Sequence, residues 1–212
     1  MKGIKMMGFL VAAVILVSCS STKITSSWKA NDATATNYNK VLVVGLQPPK
    51  YRMAQEDMEN RMVKDLKNKG INATSAFAEF GPKAFNNKSE EKLLSTLKDK
   101  GYDAAITIVL EDKSNERYHT PGTVSYQPVA VYRNRFSGYY STVYSRYSTP
   151  GYTTTETNYL WETNMYDLGS DKLLYSVQSK SFNPSSTENL GKQYSKNIVK
   201  DMGKKGLLAK QS

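Results

Sequence analysis

The chain has 212 residues, 39% hydrophobic and 23% charged, enough to build one core without disulfides or a metal staple. Its formal charge is +10, from 29 basic and 19 acidic side chains, which favours anionic partners such as lipid headgroups, acidic polymers or nucleic acid. A single cysteine and a single histidine exclude a disulfide framework and leave too few soft ligands for zinc, so neither a metal nor a cofactor is expected.

Residues 1–18 read as a leader. Lys2 and Lys5 form a positive n-region, and Met6 to Val17 is an unbroken apolar or glycine run. That run is too short to span a bilayer as a helix, which takes about 20 residues, and has the length of a signal-peptide h-region. It ends in Leu16-Val17-Ser18-Cys19, which resembles the bacterial lipobox: a leucine three residues before the cysteine and a small residue just before it. The resemblance implies that the Cys19 sulfur receives a diacylglyceryl group. It also implies that a dedicated peptidase cuts before Cys19 and that the new amine takes a further acyl chain such as palmitate. The chemistry agrees, because a thiolate is the soft nucleophile that such an alkylation needs. One acyl chain holds a protein marginally, and two or three make a stable anchor. An exported chain also gains by lacking any other thiol to oxidise. Loss of the leader leaves 27 basic against 19 acidic residues. Ser20 stands where Asp would retain a lipoprotein at the inner membrane of Gram-negative cells, so the expected location is the outer membrane, lipid-anchored and facing the periplasm. Residues 19–37, rich in Ser, Thr, Asn and Ala, read as a flexible tether. Trp28 is its exception, an aromatic either docked on the domain as part of a first edge strand, the favoured reading, or inserted at the membrane interface.

A single α+β domain is expected over 38–206, with a tail at 207–212. "KVLVVGL", Lys40 to Leu46, is a continuous valine-rich run that reads as a strand buried on both faces and stopped by Pro48-Pro49. Ala54, Met58, Met62 and Leu66 then recur every four residues and predict an amphipathic helix ended by Gly70. Ile71 to Phe77 is a second strand. Ser89 caps a second helix with Glu90 and Glu91 in its first turn, Leu93, Leu94 and Leu97 inside, and Gly101 at its end. Tyr102 to Asp112 is a third, mostly apolar strand. Crossovers of this kind give a largely parallel layer. Two runs rich in Thr, Tyr, Trp and Val flank "DLGSDK" and predict an antiparallel hairpin, with Trp161, Met165, Leu173, Tyr175 and Val177 inward. Asn183-Pro184 breaks it. Ser185 and Glu188 have capping-box spacing and open a last helix whose inner row is Leu190, Tyr194, Ile198 and Met202. The fold class is α+β, a two-layer sandwich with a mixed sheet and helices mainly on one face.

Catalytic constellations are hard to assemble from this sequence. His119 stands beside a Pro-Gly turn signal and reads as a solvated loop residue, with a general base as the other reading. Carboxylate pairs occur at Glu56-Asp57, Glu90-Glu91 and Glu111-Asp112. The first two fall on a helix surface or cap, and adjacent residues on a strand address opposite faces. The most unusual stretch is 117–159, which holds nine of the fifteen tyrosines. Residues 117–155 contain no acidic residue, and every basic side chain there is arginine, against 23 lysines and two arginines in the remainder. Arginine binds carboxylate or phosphate at two points and stacks on aromatic rings, and tyrosine gives rigid contact area. Tyr132, Arg133, Arg135, Tyr139, Tyr140, Tyr144, Arg146 and Tyr147 are therefore the candidate binding surface, for an acidic glycan or an envelope protein. The alternative is a long twisted hairpin whose tyrosines pack sideways, or a loop. An exported, lipid-anchored domain seldom meets nucleic acid, so none is expected. Lys192, Lys196, Lys200 and Lys204 recur along the last helix, either as a solvated outer face or as a contact with an anionic membrane or polymer.

The lipobox "LVSC", the "SSW" after it, the "DAAITIVLED" strand, the aromatic and Gly-rich middle and the hairpin "YDLGSDKLLYS" before a final helix resemble a group of small envelope lipoproteins of Gram-negative bacteria. More distantly, the first half resembles the αβ domain of periplasmic lipoproteins that activate cell-wall synthases or help to build secretion pores. The resemblance implies a non-catalytic binding or assembly module of the cell envelope and carries over no catalytic residue. The alternative is a hydrolase of an envelope polymer.

Overall fold

The computed structural model describes residues 21–82, 89–116 and 156–208. Six strands form one sheet: β1 (Thr22–Lys29), β2 (Val41–Leu46), β3 (Ala73–Ser75), β4 (Ala104–Glu116), β5 (Glu156–Asp167) and β6 (Lys172–Phe182). Their spatial order is β1-β6-β5-β4-β2-β3. β2 pairs in parallel with β3 and β4, and the remaining pairs are antiparallel, so the sheet is mixed. The helices are α1 (Arg52–Lys67), α2 (Ala76–Phe80), α3 (Glu90–Asp99) and α4 (Thr187–Lys204), with a short 3-10 turn at Pro49–Tyr51.

The two long helices, α1 and α4, cover one face of the sheet. Met58, Met62 and Leu66 of α1 and Leu190, Tyr194, Ile198 and Met202 of α4 are buried against Val43, Ile106, Ile108, Trp161, Met165, Tyr175 and Val177. This is the four-residue periodicity of each helix expressed as an apolar stripe. The short helices α2 and α3 cover a corner of the other face, where Ala76, Leu93 and Leu97 meet Leu42, Val44, Leu46, Ala105 and Val109. β2 is buried at every position because helices cover both of its faces, as they do the first half of β4. The fold is the expected two-layer α+β sandwich with helices mainly on one face.

Several local expectations change. The strand expected over Ile71 to Phe77 is only Ala73–Ser75, because the Ser75 hydroxyl accepts from Ala78 N at 3.1 Å and turns the chain into α2. The last helix is capped by Ser186, not Ser185: its hydroxyl accepts from Asn189 N at 3.0 Å, which displaces the expected Ser185–Glu188 box by one residue. Leu173 leaves the inward row. β6 skips Leu174 in register between Tyr175 opposite Met165 and Leu173 opposite Tyr166, and this bulge sends Leu173 to the second-face cluster while Leu174 packs against the first. Residues 22–29, read above as flexible tether, form edge strand β1 paired antiparallel with β6. Ala30 and Ala33 beyond it are buried in the core. Trp28 belongs to this strand, but its side chain is 49% exposed. Leu207 and Leu208, assigned above to the tail, are buried in the same core.

Candidate functional site

α1 and α4 approach each other closely on the helical layer. α4 carries Gly191 at the crossing, where a Cβ would lie 3.0 Å from the Asp57 carbonyl oxygen, so only glycine allows the backbones this near. Asp57 accepts from the Thr187 hydroxyl, and Asp65 accepts from the Ser195 hydroxyl at 2.8 Å. Along the outer side of this pair runs a groove of ≈ 970 Å³, walled by Arg61, Asp65 and Lys69 on one side and Lys192, Lys196, Lys200 and Lys204 on the other.

The groove is cationic. Asp65 is its one carboxylate among the described lining residues, and it is engaged by Ser195 and by Arg61, whose guanidinium lies 3.4 Å away. Lys192, Lys196, Lys200 and Lys204 are exposed, and no described carboxylate pairs with any of them within 4.0 Å. Val199, Leu208 and the lysine stems give the groove an apolar floor beneath its ammonium groups. Such a surface suits an extended array of anionic groups, because flexible lysines adapt to phosphate or carboxylate without one fixed geometry.

The carboxylates named from sequence separate into other roles. Glu56 and Glu91 are exposed, and Asp57 ties α1 to α4. Glu111 is the extra residue of a bulge in β4, between Leu110 opposite Trp161 and Asp112 opposite Leu160. Because of it, strict alternation fails: Gln178, on the sheet's second face, donates to Glu111 Oε2 at 3.4 Å, and Asp112 pairs with Leu160 on that same face. Tyr159 packs against the first core and stacks on Trp161 with ring centroids 5.8 Å apart. Cys19, His119 and the proposed surface of Tyr132, Arg133, Arg135, Tyr139, Tyr140, Tyr144, Arg146 and Tyr147 lie outside the described residues.

Two buried carboxylates are missing from the sequence reading. Glu59, fully buried, accepts from Gly45 N (2.7 Å), Gln55 Nε2 (3.0 Å), Ser75 Oγ (2.6 Å) and Phe77 N (2.7 Å). Burial pushes its carboxyl above the ordinary range, and the hydrogen bonds pull it back only in part. It acts as a clasp joining β2, α1 and the β3–α2 corner. Glu162, also buried, accepts from Asn164 Nδ2 at 3.1 Å and Ser176 Oγ at 3.4 Å on the second face of the sheet. The signal for Glu162 was present in sequence: along β5, Tyr159, Trp161 and Met165 alternate with Asn158, Glu162 and Asn164, which marks a polar second face. Glu59 gave no such signal, since one carboxylate on an amphipathic helix looks like any solvated residue. Among the described residues no group of three His, Cys, Asp or Glu side chains could hold a metal ion, and no helix is long and apolar enough to cross a membrane.

Fold and groove together define an α+β domain with an open mixed sheet and a lysine-rich channel on its helical side. No protein-family model and no curated protein matches the chain. Solved structures with a similar backbone include the PelC dodecamer from Paraburkholderia phytofirmans, 13% identical, covering 90% of this chain and 99% of that one with a TM-score of 0.47. A point variant of the same PelC is 10% identical over 82% of this chain and 96% of that one, TM-score 0.43. Lipoprotein GNA1162 from Neisseria meningitidis is 16% identical over 78% and 98%, TM-score 0.40. At these scores the likeness is one of backbone course and says nothing of what this chain binds.

Proposed function

We propose that this chain is a lipid-anchored binding or assembly module of the bacterial cell envelope, held through acyl chains on Cys19 and facing the periplasm from the outer membrane. The observation that carries the reading is the junction at 19–21. An apolar leader ends in a lipobox-like "LVSC", and the folded unit takes up the chain at Ser21, where Phe182 N donates to the Ser21 carbonyl at 2.7 Å. The working parts are surfaces and not a reactive centre: the lysine groove of α1 and α4, and the Tyr/Arg set from Tyr132 to Tyr147 as the contact for an acidic glycan or envelope protein.

The test is expression of the full chain in a Gram-negative host fed labelled palmitate, followed by membrane fractionation. The wild type incorporates label and floats with outer-membrane vesicles, and Cys19→Ala loses both. Label retained by Cys19→Ala, or an unlabelled wild type with an uncut leader, overturns the anchor. Replacing Arg133, Arg135 and Arg146 together by Ser abolishes retention of the detergent-solubilised protein on purified envelope fractions. Unchanged retention removes the Tyr/Arg surface from the reading.

A further inference from the structure

The lysine row of α4 runs beside the point where the chain leaves the fold. Ser21 is held at both backbone polar groups, its N–H donating to Gln193 Oε1 of α4 and its carbonyl accepting from Phe182 N. Thr22 follows, opposite Ser181, and its carbonyl accepts from Asn197 Nδ2 of α4 at 2.7 Å. The exit is thus fixed against α4, beside Gln193 and Asn197. Only Ser20 separates Ser21 from Cys19, and a fully extended chain covers at most about 7 Å over that interval. Acyl chains on the Cys19 sulfur would insert below the headgroups, so the flank of α4 is drawn to the bilayer surface.

That flank is where positive charge is unneutralised. Lys192, Lys196, Lys200 and Lys204 lie at successive helical turns, across α4 from the buried row Leu190, Tyr194, Ile198 and Met202. The row extends about 18 Å along the helix axis. All four are exposed, and none pairs with a described carboxylate. Long stems let each ammonium reach the headgroup plane while the methylenes stay against the helix.

We infer that α4 lies along the anionic surface of the same bilayer that holds the anchor, its four lysines paired with phospholipid phosphates. The inference rests on the lipid anchor proposed above. The two attachments differ in kind: the acyl chains hold the molecule, and the lysines set its orientation at the high local headgroup concentration that the short link enforces. In this pose the layer of α1 and α4 faces the lipid. The second face of the sheet, with half-exposed Trp28 at its edge opposite Ser176, is turned toward the periplasm and its partners. An acidic polymer is the other anion that could fill the row, but the position of the exit beside it favours the membrane.

The experiment uses the full-length acylated protein in vesicles of phosphatidylcholine, alone or mixed with phosphatidylglycerol. A membrane-impermeant amine reagent labels exposed lysines, and mass spectrometry reads each site. Labelling of Lys192, Lys196, Lys200 and Lys204 falls about fivefold in the anionic vesicles, the effect expected for a lysine attracted to an anionic surface. It recovers in high salt, while Lys98 and Lys172 label equally throughout. Acylated protein with equal labelling in both vesicles overturns the membrane pose and leaves the anchor standing. So does protection by a soluble acidic polysaccharide with none from phosphatidylglycerol. An intact mass without acyl chains overturns the anchor, and the pose with it.

Discussion

Four donors converge on the Glu59 carboxylate, and two of them, the backbone N–H groups of Gly45 and Phe77, can only donate. Gly45 N bonds one carboxylate oxygen and Phe77 N the other, so in either orientation Glu59→Gln sets its NH₂ against one backbone N–H; the lost bonds cost about 1–3 kcal/mol, read as a lower midpoint in chemical denaturation. Its pH dependence has a definite sign. The folded value is raised, so the folded state holds the proton more tightly than the unfolded chain. The Glu59 contribution is therefore greatest below the unfolded value near ~4.3 and declines as the pH rises through the folded value. Asp167 runs the other way. Burial pushes it up, but Ser170 N at 2.7 Å, Ser170 Oγ at 2.8 Å and the Tyr38 hydroxyl at 3.3 Å outweigh that and hold it below the usual range. Its contribution is present above the unfolded value near ~3.9 and is lost as the pH falls through the folded one. Asp167→Asn removes that part of the acid-side slope in a stability-versus-pH series, and an unchanged slope refutes the assignment. The same contact raises Tyr38 to about 12, with burial the larger cause and the Asp167 charge the next.

At the scale of the element, the caps and the helix crossing are the sharpest tests. Ser186 and Ser185 are neighbours of identical chemistry, yet only Ser186 accepts from Asn189 N. Ser186→Ala costs about 1 kcal/mol in thermal unfolding and Ser185→Ala close to nothing. Equal effects would restore the capping box that the sequence suggested. Gly191→Ala forces a methyl to within 3.0 Å of Asp57 O, which is backbone and cannot rotate away. The overpacking costs about 1–3 kcal/mol and spreads the lysine groove, visible as a lower melting temperature. Helices were the most legible elements, because Ala54, Met58, Met62 and Leu66 repeat at the period of the helix itself and need no partner to be recognised. The bulges at Glu111 and Leu174 were not legible. Each adds one residue to a run that stays apolar or alternating on both sides, and only the facing strand reveals the slip that moves Leu173 to the other layer.

For the whole molecule, the decisive element is β1. Its pairing with β6 closes the sheet edge next to the hairpin and joins Thr22 Oγ1 to Ser181 Oγ at 2.8 Å across 159 residues of chain. Amide exchange tests this: the β1 amides bonded to β6 should be protected as strand amides are, whereas a tether would exchange at once. The sequence by itself determined the apolar runs of β2 and β4, the apolar stripes of α1 and α4 and the α+β class. Each of these is written in local period, length or a short motif that acts within a few residues. Tertiary structure alone decided that a Ser/Thr-rich segment becomes an edge strand, that Glu59 becomes a buried clasp, and that the lysines of α4 line a groove with Arg61 and Lys69 beside the chain's exit at Ser21. Those outcomes depend on partners far away in the chain, and a polar residue's environment is set by which distant groups the fold brings to it.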